Sequence, residues 1–228
     1  MGEHQTSRRG LLADAASVAA VLTGATSCGF PAPAIAQGRR LVPTPAQTEG
    51  PFYPRESPED ADADLLRFAG GDGAAAQGTP ALVSGRVLDT SGRPIQGAQV
   101  EIWQCDAHGR YHHVRRERGP RPPDPNFQGF GRIVADADGR YEFRTIRPVP
   151  YPGRTPHIHY GVAAPDRRRR LITQLYVAGE PENDDDQILQ GVRDAEARAS
   201  IVRPFLPAPE AGLGPGGVAA TFDVVLDL

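Results

Sequence analysis

The sequence predicts an all-β protein: a β-sandwich with long loops, an extended N-terminal arm and one short helix. Short segments with apolar side chains at every second position recur along residues 82–226, as expected of half-buried strands. Turn residues separate these segments, and the chain contains 26 glycines and 23 prolines. Many short strands divided by turns are typical of two packed sheets rather than of a helical bundle.

Seven segments carry the strand pattern. A turn signal at 89–92 follows the first of them, and the turn signal at 136–139 predicts a β-hairpin between the third and the fourth. Residues 187–201 form the one predicted helix, and residues 112–130 form a long loop of the kind that often carries function. The predicted strands are 82–88, 98–103, 132–135, 141–144, 157–162, 171–177 and 221–226.

The first 36 residues resemble a bacterial export signal of the twin-arginine type. The paired arginines Arg8 and Arg9 precede a modestly apolar stretch at 15–25. Ala34 and Ala36 then offer a small-x-small cleavage site. We therefore expect an exported protein, periplasmic or extracellular. The predicted divisions of the chain are the signal peptide at 1–36, the arm at 37–80 and the β-sandwich domain at 81–228.

This leader leaves alternatives open. The apolar stretch contains polar residues and is too short for a membrane span, so no stable span is expected in the mature protein. Lipid attachment at Cys28 is a second possibility, although Ala25 stands where leucine is usual. An ordinary amphipathic N-terminal helix is another. The twin-arginine route exports proteins already folded, often with a cofactor inserted beforehand, so the leader favours a metal or redox site.

Charge and cysteine content narrow the function classes. A formal net charge of −3 and a pI near 6.1 argue against a nucleic-acid binder, which usually carries a basic face. The densest basic run, 167–170, lies between two predicted strands, and the acidic run 184–186 lies in a loop, so both are expected to be solvated. Cys105 is the one cysteine outside the leader, which leaves no internal disulfide and favours a small buried side chain.

His157 and His159 form a candidate metal site. They occupy positions i and i+2 of a predicted strand, so both imidazoles point to one face, with Cα atoms about 6.5 Å apart. Two rings at this spacing can reach one metal ion, and two surface histidines are an equally good explanation of the pattern alone. The nearby His108, His112 and His113 crowd a polar turn and are expected at the surface or around the site.

Six short motifs follow one another between residues 97 and 176. They are 97–111 (Gly-Ala-Gln-Val-Glu-Ile-Trp-Gln-Cys-Asp-Ala-His-Gly-Arg-Tyr), 124–127 (Asp-Pro-Asn-Phe), 143–148 (Phe-Arg-Thr-Ile-Arg-Pro), 150–152 (Pro-Tyr-Pro), 156–159 (Pro-His-Ile-His) and 171–176 (Leu-Ile-Thr-Gln-Leu-Tyr). Taken together, they resemble the intradiol ring-cleavage dioxygenase family, and most closely its protocatechuate 3,4-dioxygenase branch.

The resemblance implies one Fe(III) ion held by four side chains. The iron-binding tyrosines of the family fall on Tyr111 and Tyr151, and its iron-binding histidines fall on His157 and His159. The donor types agree with this cofactor, because phenolate oxygens are hard anionic donors that favour ferric over ferrous iron.

The resemblance also implies a reaction, in which O2 opens a catechol-type ring between its two hydroxyl-bearing carbons to give a muconate-type diacid. The family's active-site arginine and glutamine fall on Arg154 and Gln174, and Tyr151 has a catalytic role as the ligand that substrate displaces. The implied partners are a catecholic small molecule and O2, and a homo-oligomer is left open. Gly153 replaces a bulky aromatic of the protocatechuate enzymes in a shorter loop, which leaves the substrate undecided.

Two other functions fit part of the sequence. The stretches 85–87 and 97–100 also suit transthyretin-like or carbohydrate-binding β-sandwich modules, which are not catalytic. Such modules have no need for two tyrosines and two histidines. A hydrolase with zinc at the same residues would keep a metal site but would change the metal and the reaction.

Overall fold

The structure, a computed structural model, describes residues 40–56, 58, 60–112, 122–165 and 167–228. The proposed leader, with Arg8, Arg9 and Cys28, lies outside the described residues, and so does His113. In chain order the strands are β1 (Pro80–Asp89), β2 (Gln99–Trp103), β3 (Phe130–Val134), β4 (Arg140–Ile146), β5 (His157–Ala163), β6 (Leu171–Val177), β7 (Val202–Arg203), β8 (Leu206–Pro207), β9 (Val218–Thr221) and β10 (Val224–Leu226).

The described strands form two five-stranded sheets, in agreement with the predicted all-β class. In the first sheet the order is β10-β1-β9-β8, and β4 also pairs with β1. In the second sheet the order is β3-β2-β5-β6-β7, antiparallel except for the short β6–β7 pair. Side chains of both sheets, such as Val83 and Phe143 of the first and Ile102 and Ile158 of the second, belong to one core.

The predicted hairpin at 136–139 is wrong. The turn exists, because the Asp136 carboxylate accepts hydrogen bonds from the backbone of Asp138 and Arg140. However, β3 pairs with β2 and β4 pairs with β1, so this turn joins the two sheets. The carbonyl of Gly139 accepts a hydrogen bond from the Val87 N–H, which holds the turn against β1. A turn signal reports that the chain reverses, but it does not report which strand each side pairs with.

The predicted C-terminal strand at 221–226 is divided. β9 pairs with the first half of β1 and β10 with the second half. Between them, the Phe222 N–H donates to the Ser84 carbonyl, and the Asp223 carboxylate accepts the Arg86 N–H. The Phe222 carbonyl crosses so close to Gly85 that a Cβ there would lie 1.9 Å from its oxygen. β9 and β10 can therefore both pair along one edge of β1 because residue 85 has no side chain that would meet the Phe222 carbonyl.

The predicted helix at 187–201 is two helices, α1 (Gln187–Gln190) and α2 (Ala195–Ser200). The Asp186 side chain caps α1, and the Asp194 side chain accepts a hydrogen bond from the Ala197 N–H at the start of α2. Asp194 has extended backbone angles, so α1 and α2 cannot form one continuous helix. Short 3-10 turns occupy Pro181–Asp184 and Pro209–Ala211. None of the helices in the described part of the chain is long and apolar enough to cross a membrane.

Residues 40–56, 58 and 60–79 carry no helix or extended strand. Their backbone nevertheless hydrogen-bonds to both sheets. The Ala61 carbonyl accepts the Arg132 N–H of β3, and the Ala63 carbonyl accepts the Arg144 N–H of β4. The Leu65 N–H in turn donates to the Arg144 carbonyl. This stretch therefore satisfies polar groups at the edges of both sheets.

We expect Gly85→Ala to destabilise the protein by about 3 kcal/mol or more, because the added Cβ meets a backbone carbonyl that cannot rotate away. Urea unfolding followed by circular dichroism measures the free energy of unfolding. Ser84→Ala is the control on the neighbouring position and should change that free energy by less than about 1 kcal/mol. A Gly85→Ala protein as stable as the wild type would contradict the crossing of Phe222 over β1.

Candidate active site

The residues predicted to act together lie where β2 ends and β5 begins. His159 faces Trp103 of β2 and Gln174 of β6 in the strand register, and His157 faces Tyr176 of β6. Tyr111 follows a turn after β2, and the other predicted residues, Tyr151 and Arg154, immediately precede β5. The second sheet therefore brings together residues that are up to 63 positions apart, from Tyr111 to Gln174.

His157 and His159 are buried, and each is 1% exposed. The Nδ1 of His157 lies 2.6 Å from the Thr155 carbonyl, to which its N–H donates, so Nε2 carries the lone pair. That Nε2 lies 3.2 Å from the Nε2 of His159. Burial, and then the positive charge of Arg154, lower the pKa of His157 to about 3. Burial also lowers the pKa of His159. Both rings are therefore neutral near pH 7, as metal-binding imidazoles must be.

A turn built by Asp106 positions Tyr111. The buried Asp106 carboxylate accepts hydrogen bonds from three backbone N–H groups. Gly109 in this turn has φ +73, and a Cβ at this position would lie 3.3 Å from the Cβ of Tyr151. The rings of Tyr111 and Tyr151 lie edge to face with centroids 5.9 Å apart. Burial raises the pKa of the Tyr111 phenol well above its ordinary value, with smaller contributions from Cys105 and Tyr151.

A tight turn joins Tyr151 to Arg154. Pro152 and Gly153 occupy its central positions, and Gly153 has φ +81, as a type II turn requires. The Tyr151 carbonyl accepts the Arg154 N–H at 2.9 Å. The Tyr151 hydroxyl lies 3.3 Å from His157 Nε2 and 3.4 Å from Arg154 Nη1. Burial raises the pKa of Tyr151, and the charge of Arg154 offsets part of this rise.

Arg154 and Gln174 are in direct contact. Arg154 Nη2 donates to Gln174 Oε1 at 2.5 Å, and the Tyr176 hydroxyl donates to the same oxygen at 3.0 Å. Arg154 Nε donates to Asp186 at 2.8 Å. The expectation of a solvated loop at 184–186 is therefore wrong for Asp186, which is 2% exposed. Its capping of α1 and its ion pair hold it inside, whereas Asp184 and Asp185 are exposed.

Aromatic side chains enclose the site. Trp103 is buried as expected, and its ring stacks on His159 with centroids 4.9 Å apart. Phe52 stacks on Tyr111 at 4.3 Å, and Tyr53 packs edge to face on Trp103. The sequence does not predict site residues in the covering segment 48–53, because Thr-Glu-Gly-Pro-Phe-Tyr contains no recognisable ligand spacing.

Arg170 holds this covering segment in place. It donates to Glu101 of β2 and to Glu49, and its guanidinium lies 4.2 Å from the centre of the Tyr53 ring. The expectation of a solvated turn at 167–170 is therefore wrong for Arg170, although its three neighbours 167–169 are exposed. The reason is that Glu101 is buried and its carboxylate pairs with Arg170 as well as with Arg132.

The remaining candidates lie around the site. His108 and His112 hydrogen-bond the backbone carbonyls of Pro122 and Asp124, so they hold the loop that follows Tyr111. Cys105 is 1% exposed, in agreement with the expected small buried side chain. Over the described ranges, no group of three or more His, Cys, Asp or Glu is placed to hold a metal ion. The oxygen atom placed beside His157 Nε2 is that of Tyr151.

Comparison with known proteins decides the family. A family model described as Dioxygenase (Dioxygenase_C) matches residues 48–227. The chain is also 37% identical over 198 residues to the protocatechuate 3,4-dioxygenase beta chain of Burkholderia cepacia, with 82% of each protein covered. The chain belongs to the intradiol dioxygenase family. Its members are ring-cleaving oxidoreductases, so the prediction of an enzyme of this type is confirmed and a non-catalytic module is not favoured.

Two further relatives mark the extent of the likeness. A hydroxyquinol 1,2-dioxygenase of Corynebacterium glutamicum is 32% identical over 204 residues, which cover 80% of this chain but only 63% of that enzyme. Among solved structures, the dioxygenase domain of a dioxygenase carbohydrate-binding protein fusion from Streptomyces sp. SirexAA-E has a TM-score of 0.62 at 33% identity. That match covers 82% of this chain and 99% of the domain.

We expect Arg170→Ala to loosen the covering segment, because it removes two carboxylate contacts and the contact with the Tyr53 ring. Trp103 is the only tryptophan of the chain, so its fluorescence emission should shift to longer wavelength as water reaches the indole. Arg169→Ala, at the exposed neighbouring position, should leave the emission unchanged. An unshifted spectrum for Arg170→Ala would contradict the role of this arginine.

Proposed function

We propose that this chain is a non-haem Fe(III) intradiol dioxygenase that cleaves a catechol-type ring with O2 to give a muconate-type diacid. The observation that carries the proposal is the convergence of two imidazole nitrogens and two phenols at the start of β5. His157 Nε2 lies 3.2 Å from His159 Nε2 and 3.3 Å from the Tyr151 hydroxyl, and Tyr111 packs against Tyr151. The protocatechuate and hydroxyquinol enzymes among its relatives support the reaction class.

The donor set fits ferric iron. The buried imidazoles are neutral, with lone pairs available, because burial lowers their pKa. Burial raises the pKa of both phenols, so only a strong adjacent positive charge would ionise them, and a trivalent cation provides one. Two phenolates would then compensate most of that charge with the hard donors that Fe(III) prefers. When bound, the iron supplies the Lewis acidity and redox chemistry that make a catecholate ring reactive toward O2.

The side chains around the metal site have separate tasks. Tyr151 is half-buried and lies beside Arg154, so its hydroxyl oxygen can take up a proton or hold a negative charge as substrate enters. Arg154 stabilises negative charge on the bound ring, and Gln174 fixes the position of the guanidinium through Oε1. The rings of Phe52 and Trp103 exclude water from the ligands on which they stack.

We extend the proposal to the architecture. The two sheets form a β-sandwich, supported by the single core that they share. Residues 81–228 are the domain, and residues 37–80 are an arm whose described part lies along both sheets and over the site. The support for the arm is its set of backbone hydrogen bonds to β3 and β4 and the stacking of Phe52 on Tyr111. A homo-oligomer is compatible with this arrangement.

We also propose that residues 1–36 direct export by the twin-arginine route to the periplasm or the cell exterior, with lipid attachment at Cys28 as a second possibility. Support comes from Arg8 and Arg9 ahead of the apolar stretch. Arg8→Lys with Arg9→Lys should retain the protein in the cytoplasm, because lysine does not reproduce the planar guanidinium. Cell fractionation measures this, with Arg40→Lys as the control. Undiminished export of the double variant would mean that another route operates.

We expect about one iron per chain and a broad visible absorption band from phenolate-to-iron charge transfer. Tyr111→Phe and His159→Ala should each lose iron or activity, because each removes a donor from the ferric ion. Elemental analysis and the visible spectrum measure both. His108→Ala, a matched histidine that bonds only to the loop, should keep iron and colour. A protein that stays colourless after iron loading would contradict the ligand assignment, and one that takes up zinc instead would favour the hydrolase with zinc at the same residues.

Arg154→Ala should retain iron and colour, still change its spectrum when catechol is added, and lose on the order of a hundredfold in kcat. The reason is that Arg154 interacts more strongly with the charge that develops during reaction than with bound substrate. Arg147→Ala is the control, since Arg147 pairs with Glu180 rather than with a site residue. An Arg154→Ala protein with normal kcat would remove the catalytic role, whereas loss of iron would mean that Arg154 only holds the turn.

A further inference from the structure

The two oxygens of the buried Asp186 carboxylate bind different parts of the protein. Its side chain has 0% exposure. Oδ1 accepts hydrogen bonds from the N–H groups of Ile188 and Leu189, both at 3.0 Å, and thereby caps α1. Oδ2 faces the site, where it accepts from Arg154 Nε at 2.8 Å and from the Thr155 N–H at 3.1 Å. Helix capping uses one oxygen of this carboxylate, and the site uses the other.

The Oδ2 contact decides how the Arg154 guanidinium is turned. A guanidinium is planar, so fixing Nε fixes the direction of both terminal nitrogens. With Nε on Asp186, Nη2 reaches Gln174 and Nη1 is left facing the Tyr151 hydroxyl at 3.4 Å. The Arg154 side chain is 14% exposed, and a charge buried to this extent needs a partner.

The same oxygen also reaches the metal-binding strand. Asp186 Oδ2 holds the Thr155 N–H, and the carbonyl of Thr155 accepts the Nδ1–H of His157 at 2.6 Å. That hydrogen bond determines which nitrogen of His157 carries the lone pair. Thr155 is held further by its hydroxyl, which donates to Asn183 at 2.8 Å.

We propose that Asp186 is a positioning residue for the ring-cleavage reaction, one that aims Arg154 Nη1 at Tyr151 and steadies the peptide that orients His157. The inference rests on the proposed function, because it assigns Asp186 to the same iron site. The site-facing hydrogen bonds of Asp186 go to Arg154 and Thr155, so it acts through these two residues. Residues that orient the ligands of a metal site typically change activity by about 10- to 100-fold when they are replaced.

Asp186→Asn separates the two roles of the carboxylate. Asparagine is as good a helix N-cap as aspartate, so the bonds to α1 are retained. Its amide nitrogen, however, cannot accept a hydrogen bond from Arg154 or carry the compensating charge. Asp194→Asn is the matched control, because Asp194 caps α2 in the same way from an exposed position.

We expect iron-loaded Asp186→Asn to keep its iron content and to lose about 10- to 100-fold in kcat for catechol, with less effect on KM. The charge-transfer band of the resting protein should move, because the guanidinium no longer faces the Tyr151 oxygen. In an Arg154→Ala background, Asp186→Asn should cause a smaller loss of kcat than in the wild type, since the group that it aims is gone and only the support of the Thr155 peptide is left to lose. Asp194→Asn should match the wild type in band position, iron content and rate.

Wild-type kcat and an unmoved band for Asp186→Asn would overturn this inference, and so would losses that multiply in the double variant. If Asp186→Asn does not fold, a crystal structure of the wild-type holoenzyme decides, because an Arg154 Nε to Asp186 separation beyond about 4 Å would overturn the proposal. A wild-type protein that binds no iron would instead overturn the proposed function, so the two failures are distinguishable.

Discussion

The period-two geometry of β5 is the constraint on which the site depends. Because alternate side chains share a face, His157 and His159 point the same way and approach within 3.2 Å at their Nε2 atoms. The register with β2 and β6 then places Trp103 and Gln174 opposite His159. The tyrosines are brought to these rings by turns rather than by strands, and each turn depends on a glycine with positive φ, Gly109 or Gly153. A rigid sheet supplies the histidines, and two tight turns supply the phenols.

Three buried carboxylates that lie around the site hold this arrangement in place. Asp106 shapes the turn that carries Tyr111, Glu101 anchors Arg170 beneath the covering segment, and Asp186 faces Arg154. Each is at most 6% exposed and has backbone N–H groups or arginines as partners. Removing one partner of such a group leaves a charge in a poorly solvated place, which costs more than the contact itself contributes. The site is consequently sensitive to residues that do not touch it.

The sequence predicted the parts of the fold that local periodicity encodes. The first six strands follow from alternation, and the turns follow from glycine, proline and aspartate. The pairing of strands that are distant in the chain does not follow from local pattern. The hairpin predicted at 136–139 is therefore wrong, and the sequence does not predict the close approach of Phe222 to Gly85 that divides the last strand. The site residues came from ordered motifs. Asp186 and Arg170 could not be found, because an aspartate in an acidic run and an arginine in a basic run look solvated until their buried partners are known.

The covering segment has a consequence for how the protein is made. Its contacts and those of the adjoining Gln47 join residues far apart in sequence: Gln47 to Tyr176 over 129 positions, Gln47 to Ile188 over 141 and Arg170 to Glu49 over 121. During synthesis these residues emerge before every strand, and their contacts are complete only after β6 and α1 have left the ribosome. These residues are therefore translated early but held by all of their partners only late. Until then, Phe52 and Tyr53 lack part of the support that keeps them against Tyr111 and Trp103.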